Sequence, residues 1–270
     1  MKVLIADPLS DKAIEILKAA NLEADVKTGL KADELEAIIA DYDALVVRSA
    51  TKATKGIIDK GAKLKIIGRA GIGVDNVDVA AATEKGVVVM NTPQGNALAA
   101  AEHAIALMFA AARKVAMADR TMKQGKWEKK LFMGTEVYGK TLGVIGIGNI
   151  GILVAEKALA LGMRVIAYDL YVSKDFAASK GIEIVDLDKL LKESDFITTH
   201  LPLVKDTRNL INKETLAKTK KGVIIINTAR GPIVNEKDLL EALESGHVAM
   251  AALDVFDEEP PPKDNPIVLS

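Results

Sequence analysis

The sequence predicts an α/β protein of two doubly wound parallel-sheet domains. Short β-branched runs alternate with helix-period segments along most of the chain, and one long Ala-rich helical segment interrupts the alternation before it resumes. At roughly 100–200 residues per domain, 270 residues make about two domains. Such alternation implies parallel strands with helices on both faces of each sheet.

In the first half, KVLIAD (2–7) is a strand-like run followed by the helix SDKAIEILKAA (10–20). Ser10 or Asp11 suits its N-cap, and Ile14, Leu17 and Lys18 fall at helical spacing. ADV (24–26), the helix ADELEAIIA (32–40), the buried-type strand ALVV (44–47), and the strands KLKIIGRA (63–70) and GVVVMN (86–91) complete this series. From about Asn96 to Lys123 a single long helix is expected: the stretch lacks Gly and Pro, and its wide apolar face suits packing between domains or subunits. The domain boundary is placed at its start, giving domains 1–96 and 97–270. The second half supplies strands at 141–147, 163–169, 182–185, 195–200, 222–228 and 248–255, with helices at 150–161, 187–193, 213–219 and 236–245. EEPPPKDNP (258–266) reads as a Pro-rich loop.

Composition narrows the function. Lys and Arg number 36 against 37 Asp and Glu, so the net charge of −1 offers no general attraction to nucleic acid or an anionic membrane. There is no cysteine, hence no disulfide framework, thiolate nucleophile or thiolate metal site; a reducing cytoplasm is compatible with this. No signal peptide and no apolar run of membrane-spanning length is evident, the run 97–112 being broken by Glu102 and His103.

GIGNIG (146–151) matches G-x-G-x-x-G. The pattern alone is weak, but here a strand precedes it, a helical run follows, and Asp169 ends the next strand. That context is a Rossmann dinucleotide site. Gly146 allows the tight turn, Gly148 lets the backbone approach a pyrophosphate, and Gly151 lets helix and strand pack closely. The amides of Asn149 and Ile150 face the phosphates at the positive helix end. Asp169 binds the ribose hydroxyls and repels a 2′-phosphate, favouring NAD over NADP; otherwise it is a solvated strand end.

Oxidation of a 2-hydroxy acid needs a cation for the carboxylate and C2 oxygen, a base, and a partner for that base. Arg230, in INTARGPIVN (226–235), leaves a buried strand and offers a fork that fits a carboxylate; the alternative is an interdomain salt bridge. ALDVFDEEP (252–260) brings Asp254 and Glu259 past another strand end. In the first domain VVRSATK (46–52) and GRAGIGVDN (68–76) place Arg48 and Arg69 at strand ends, together suggesting an anion pocket. Asn96 suits both a helix N-cap and a carboxylate contact.

These segments, with AAEH (100–103) and GKWEKKLFMGTE (125–136), resemble the D-isomer-specific 2-hydroxyacid dehydrogenase family over essentially the whole chain. The resemblance implies a flavodoxin-like substrate domain followed by the Rossmann domain. It implies that Arg230 binds substrate, Glu259 partners a catalytic histidine, and Asp254 sits by the nicotinamide. Asn149, Ile150, Asp169, Thr228 and Ala229 contact NAD, joined by Ile72, His200 and Leu201. Arg48, Arg69 and Asn96 hold the substrate's carboxylate or phosphate. A homodimer is expected in which Trp127–Thr135 meets the partner and Lys129 completes the neighbour's site. Within the family, GKWEKKLFMGTE favours oxidation of 3-phosphoglycerate to 3-phosphohydroxypyruvate, the first step of L-serine biosynthesis. Another 2-hydroxyacid dehydrogenase, such as a glyoxylate/hydroxypyruvate reductase, or an NAD-sensing corepressor-like protein are the alternatives.

One departure stands out. The family's acid/base histidine lies in a Pro-His motif one strand beyond the Glu-Pro loop, whereas this chain has only His103, His200 and His247, none after a proline. His103 is expected in packing or an interface, His200 beside the cofactor, and His247 exposed. A form shortened before the last strand and the return segment of the first domain, with low turnover, is therefore expected.

Overall fold

The alternation read from the sequence folds into two separate parallel sheets. The computed structural model describes residues Met1–Ser270, which divide into the units Met1–Asn96 and Ala97–Ser270.

In the first unit the elements run β1 (Lys2–Ile5), α1 (Asp11–Ala19), β2 (Glu23–Val26), α2 (Ala32–Ile38), β3 (Ala44–Val47), α3 (Lys55–Lys60), β4 (Ile66–Arg69), α4 (Val79–Lys85) and β5 (Val88–Asn91). The strand order is β2-β1-β3-β4-β5, every pair parallel. This is the flavodoxin-like order, and it reverses direction between β1 and β3. The central strands carry a charge only at one end, Lys2 of β1 and Arg69 of β4, and are otherwise apolar, so both faces can be buried: Leu4, Leu45 and Ile67 pack with Leu35, Ile39, Ile57 and Ile58. Helices α3 and α4, too short to announce themselves by periodicity, start on single capping oxygens: Thr54 accepts the Ile57 amide and Asp78 the Ala81 amide.

The second unit begins with α5 (Ala97–Ala112) and α6 (Val115–Lys123). The single helix expected across this stretch is broken. The Ala112 carbonyl accepts the amide of Thr135 at 2.8 Å instead of continuing the ladder, and Lys114 turns left-handed with φ 54°. Gly134 permits the approach, since a Cβ there would lie 2.6 Å from the Ala112 oxygen. No local feature of residues 97–123 announces this break.

Next come β6 (Thr141–Ile145), α7 (Asn149–Ala160), β7 (Arg164–Tyr168), α8 (Lys174–Ser179), β8 (Glu183–Ile184), α9 (Leu187–Glu193) and β9 (Phe196–Thr199). They are followed by α10 (Lys213–Ala217), β10 (Val223–Asn227), α11 (Glu236–Glu244), β11 (Val248–Leu253) and the short α12 (Pro266–Leu269). The order β8-β7-β6-β9-β10-β11 is the Rossmann arrangement, reversing between β6 and β9. One core lies under α5 and α7, with Met108, Val144, Val154 and Ile226; the other, around Leu190, Ile197, Ile225 and Leu239, fills the opposite face. No helix is long and apolar enough to cross a membrane.

Candidate functional site

In open α/β sheets ligands bind beyond the carboxyl ends of the strands, where the strand order reverses. In the second unit that point is flanked by the loops after β6 and β9. Gly146 has φ +89°, and a Cβ there would fall 2.8 Å from the His200 carbonyl oxygen and 2.7 Å from the Leu201 side chain. A Cβ on Gly151 would lie 2.0 Å from the Gly146 carbonyl oxygen. Protein packed against protein therefore requires both glycines. Gly148 differs: its φ of −68° suits any residue, and nothing lies within 4 Å of an ideal Cβ. It is the N-cap of α7, so a side chain would fill the open space before the helix's first turn, where Asn149 and Ile150 lead and the helix dipole is positive. An open cradle of bare backbone is what a pyrophosphate needs, and these residues fit it.

Asp169 follows β7 and closes the same loop. Its Oδ2 accepts the Ile147 amide at 2.9 Å, and its Oδ1 accepts Tyr171 at 2.8 Å and Val172 at 3.1 Å. An ionised carboxylate has about four acceptor positions; these amides aim it and leave capacity for a ribose hydroxyl. Arg164 stands at the opposite end of β7, paired with Glu183 and Glu193 at 2.7 Å each, and so does not serve a 2′-phosphate. His200 lies under the glycine loop, bonded to the Thr198 hydroxyl at 2.9 Å. The residue is half-buried, and the protein packed around it pushes its pKa down to about 4, so the imidazole is neutral at pH 7.

The loops after β10 and β11 form the other side of this edge. Asn227, only 1% exposed, accepts the Thr199 hydroxyl at 2.8 Å and the Ala229 amide at 3.1 Å, and donates to the Arg230 carbonyl at 2.9 Å. It shapes the turn that presents Arg230, whose Nη1 donates to the Ala229 carbonyl at 2.6 Å. The sequence signal for Asn227 was an amide closing an otherwise apolar strand, VIIIN. The Thr228 hydroxyl is buried without a hydrogen-bond partner, an orphan that a bound ligand would satisfy. Gly231 packs on the next loop, where a Cβ would meet the Phe256 carbonyl at 2.0 Å.

Asp254 leaves β11 and pairs with His103 of α5, Nε2 to Oδ1 at 3.2 Å, both side chains about half exposed. His103 is thus not a packing residue. Glu259 turns back on its own loop, accepting the Phe256 amide at 3.2 Å. Lys129 is exposed in a short turn, Lys129–Phe132. His247, expected to be exposed, is half-buried: it bonds the Thr219 hydroxyl at 3.0 Å and the Leu216 carbonyl at 2.8 Å, joining β11 to the end of α10.

In the first unit, Arg48 is exposed just after β3. Arg69 ends β4 and lies across Gly71, where a Cβ would fall 1.6 Å from its Nη1. Ile72 is in the same loop, its carbonyl held by the Asn91 amide at 2.7 Å. Asn96 is exposed immediately before α5.

Residues 105–269 match the model for the D-isomer specific 2-hydroxyacid dehydrogenase, NAD binding domain. The chain belongs to this family. Its second unit is accordingly an NAD-binding domain. A D-3-phosphoglycerate dehydrogenase from Archaeoglobus fulgidus is 53% identical over 268 residues, 99% of this family member and 51% of that protein. The chain thus spans about half the length of that relative. A hydroxypyruvate reductase from Thermotoga maritima is 52% identical over 96% of this chain and 84% of its own. Among solved structures, D-lactate dehydrogenase from Aquifex aeolicus, complexed with NAD and lactic acid, superposes with a TM-score of 0.88 at 30% identity, covering 100% of this chain and 84% of that one.

Proposed function

We propose that the protein is an NAD-dependent dehydrogenase that oxidises 3-phosphoglycerate to 3-phosphohydroxypyruvate, the first step of L-serine biosynthesis in the cytoplasm. The observation that carries this reading is the 53% identity, over 99% of the chain, to a D-3-phosphoglycerate dehydrogenase. The Arg48 and Arg69 cations of the first unit support it, since a substrate with a carboxylate and a phosphate needs more than one.

Each residue has a stated task. Bound NAD supplies the hydride acceptor for C2. Gly146, Gly148, Asn149, Ile150 and Gly151 hold its pyrophosphate, and Asp169 the adenosine ribose. His200, Leu201, Thr228, Ala229, Asp254 and Ile72 line the remainder. Arg230 grips the substrate carboxylate and polarises the C2 oxygen, stabilising the charge that develops there. Glu259 would orient the family's acid/base imidazole; none of His103, His200 and His247 stands in the Pro-His motif, so the role of base is given to none of them. Arg48, Arg69 and Asn96 hold the carboxylate or phosphate. In a homodimer the Trp127–Thr135 segment meets the partner and Lys129 completes its site. Trp127, at 75% exposed, and Met133, at 79%, support this, being large apolar side chains left mostly uncovered.

Steady-state kinetics on a panel of hydroxy acids test the substrate. The expected kcat/KM for 3-phosphoglycerate exceeds those for lactate and glycerate by at least about 100-fold. The identity to hydroxypyruvate reductase favours one second reading, reduction of unphosphorylated hydroxypyruvate. Turnover of that compound far above 3-phosphohydroxypyruvate would establish it instead. Light scattering tests the dimer, and a monomer at micromolar concentration would remove the role given to Lys129.

A further inference from the structure

We propose that Asp7 and Asn76 form a two-sided clamp on the Arg48–Thr51 loop, positioning the Arg48 guanidinium for the anionic substrate; this rests on the substrate role given to Arg48 above. Both are positioning residues, acting through the loop.

The clamp sits where the strand order of the first sheet reverses. Asp7 follows β1 and Arg48 follows β3, the two strands that flank the reversal. Asp7 is 3% exposed and is the only charged residue among the buried polar side chains. A buried carboxylate is costly unless hydrogen bonds replace its water. All its side-chain bonds go to one loop: Oδ2 accepts the amides of Arg48 at 2.5 Å and Thr51 at 3.2 Å, and Oδ1 accepts the Thr51 hydroxyl at 2.7 Å.

Asn76 holds the same two residues by their carbonyls. Its Nδ2 donates to Arg48 at 2.7 Å and to Thr51 at 2.6 Å. Its backbone pins the next turn, with the Ala53 amide on the Asn76 carbonyl at 2.8 Å. Its Oδ1 is buried and unpartnered, a local cost of the kind found where geometry outweighs stability.

What the clamp holds does not serve the core. Arg48, Ser49 and Ala50 are all exposed, and the Arg48 side chain has only a 3.5 Å contact to the Pro8 carbonyl. A fixed backbone carrying an unburied cation is a preorganised anion contact, in which the ordering entropy is spent before the ligand arrives. Asn76 also follows the Arg69–Gly71 turn in the chain, so one side chain registers the loop of one cation against the segment bearing the other.

Kinetics and binding on the protein test this. Asp7→Asn leaves one acceptor oxygen where two are used, and Thr51→Val removes the hydroxyl while keeping the shape. Each is expected to lower kcat/KM for 3-phosphoglycerate by about 10- to 100-fold, mostly through KM, with the NAD Kd unchanged. Thr51→Ser restores the wild-type KM. The double variant Asp7→Asn with Arg48→Ala loses no more than Arg48→Ala alone, since Asp7 acts through Arg48. Unchanged KM in both Asp7→Asn and Thr51→Val, or fully additive losses in the double variant, would overturn the clamp. Should Asp7→Asn not fold, Thr51→Val and Thr51→Ser decide alone. If Arg48→Ala raises KM for a different hydroxy acid of the panel, the clamp stands and the substrate assignment falls. If Arg48→Ala changes KM for none of them, both fall.

Discussion

The two sheets solve one problem by opposite means. In each, the loops on either side of the strand-order reversal are in contact. In the second unit the contact is backbone on backbone, Gly146 against the His200 carbonyl, and it leaves a cradle of bare amides. In the first unit it is a buried carboxylate, Asp7, gripping the loop that carries Arg48. The first design suits a ligand group that many proteins share, because it demands only the absence of side chains. The second suits selection among small acids, because a cation on a fixed stem can be moved by changing the clamp. The comparison teaches that topology decides where a site lies, while the loop chemistry decides how selective it is.

The largest effect expected from testing this contrast is that of Gly151→Ala. Its Cβ would meet the Gly146 carbonyl, so loss of about 3 kcal/mol in stability and of NAD binding should both appear, by thermal melt and calorimetry. Gly148→Ala makes the sharper comparison. With open space around the new methyl, Tm should stay within about 2 °C of wild type, while NAD affinity falls at least tenfold. A Tm loss equal to that of Gly151→Ala would mean that the fold, not the ligand, requires Gly148.

Asp169→Asn comes next. Removing the charge should shift the NAD-to-NADP affinity ratio about tenfold toward NADP, worth about 1.4 kcal/mol, with both affinities lowered because the Ile147 amide loses a charged acceptor. An unchanged ratio would assign Asp169 to loop structure alone.

The smallest effect is on pH dependence. All three histidines lie in the second unit. His200 falls from an ordinary 6.5 to about 4 in the folded protein. Between these values the unfolded chain binds the extra proton, so stability is fully present above about 6.5 and is lost as pH falls toward 4. His200→Gln should flatten that part of the Tm-against-pH curve, and an equally steep curve in the variant would place the titration elsewhere.

Much of this was legible in the sequence, for physical reasons. ALVV and residues 187–193 were placed at their observed bounds because a charge-free β-branched run and a 3.6-residue period are local signals. The glycine loop was legible because its requirement is also local. The break after α5 was not, since it depends on a carbonyl bonded to Thr135, far along the chain. Asn227, Asp7 and Asn76 were missed because a buried polar residue looks like any other until its donors arrive from another loop. His247 was misjudged for the same reason: its partners, Thr219 and Leu216, belong to a different element.

The bond between Ala112 and Thr135 closes the intervening stretch into an excursion whose two ends lie side by side. Residues 113 to 134 run out from the end of α5, with α6 packed against it, and come back beside its last turn. Such a closed excursion can grow, shrink or be exchanged without refitting helix to sheet, since doubling a loop costs only about 0.6 kcal/mol. Changes of length within it are therefore expected to cost the fold little, whatever they do to the contacts proposed for Lys129.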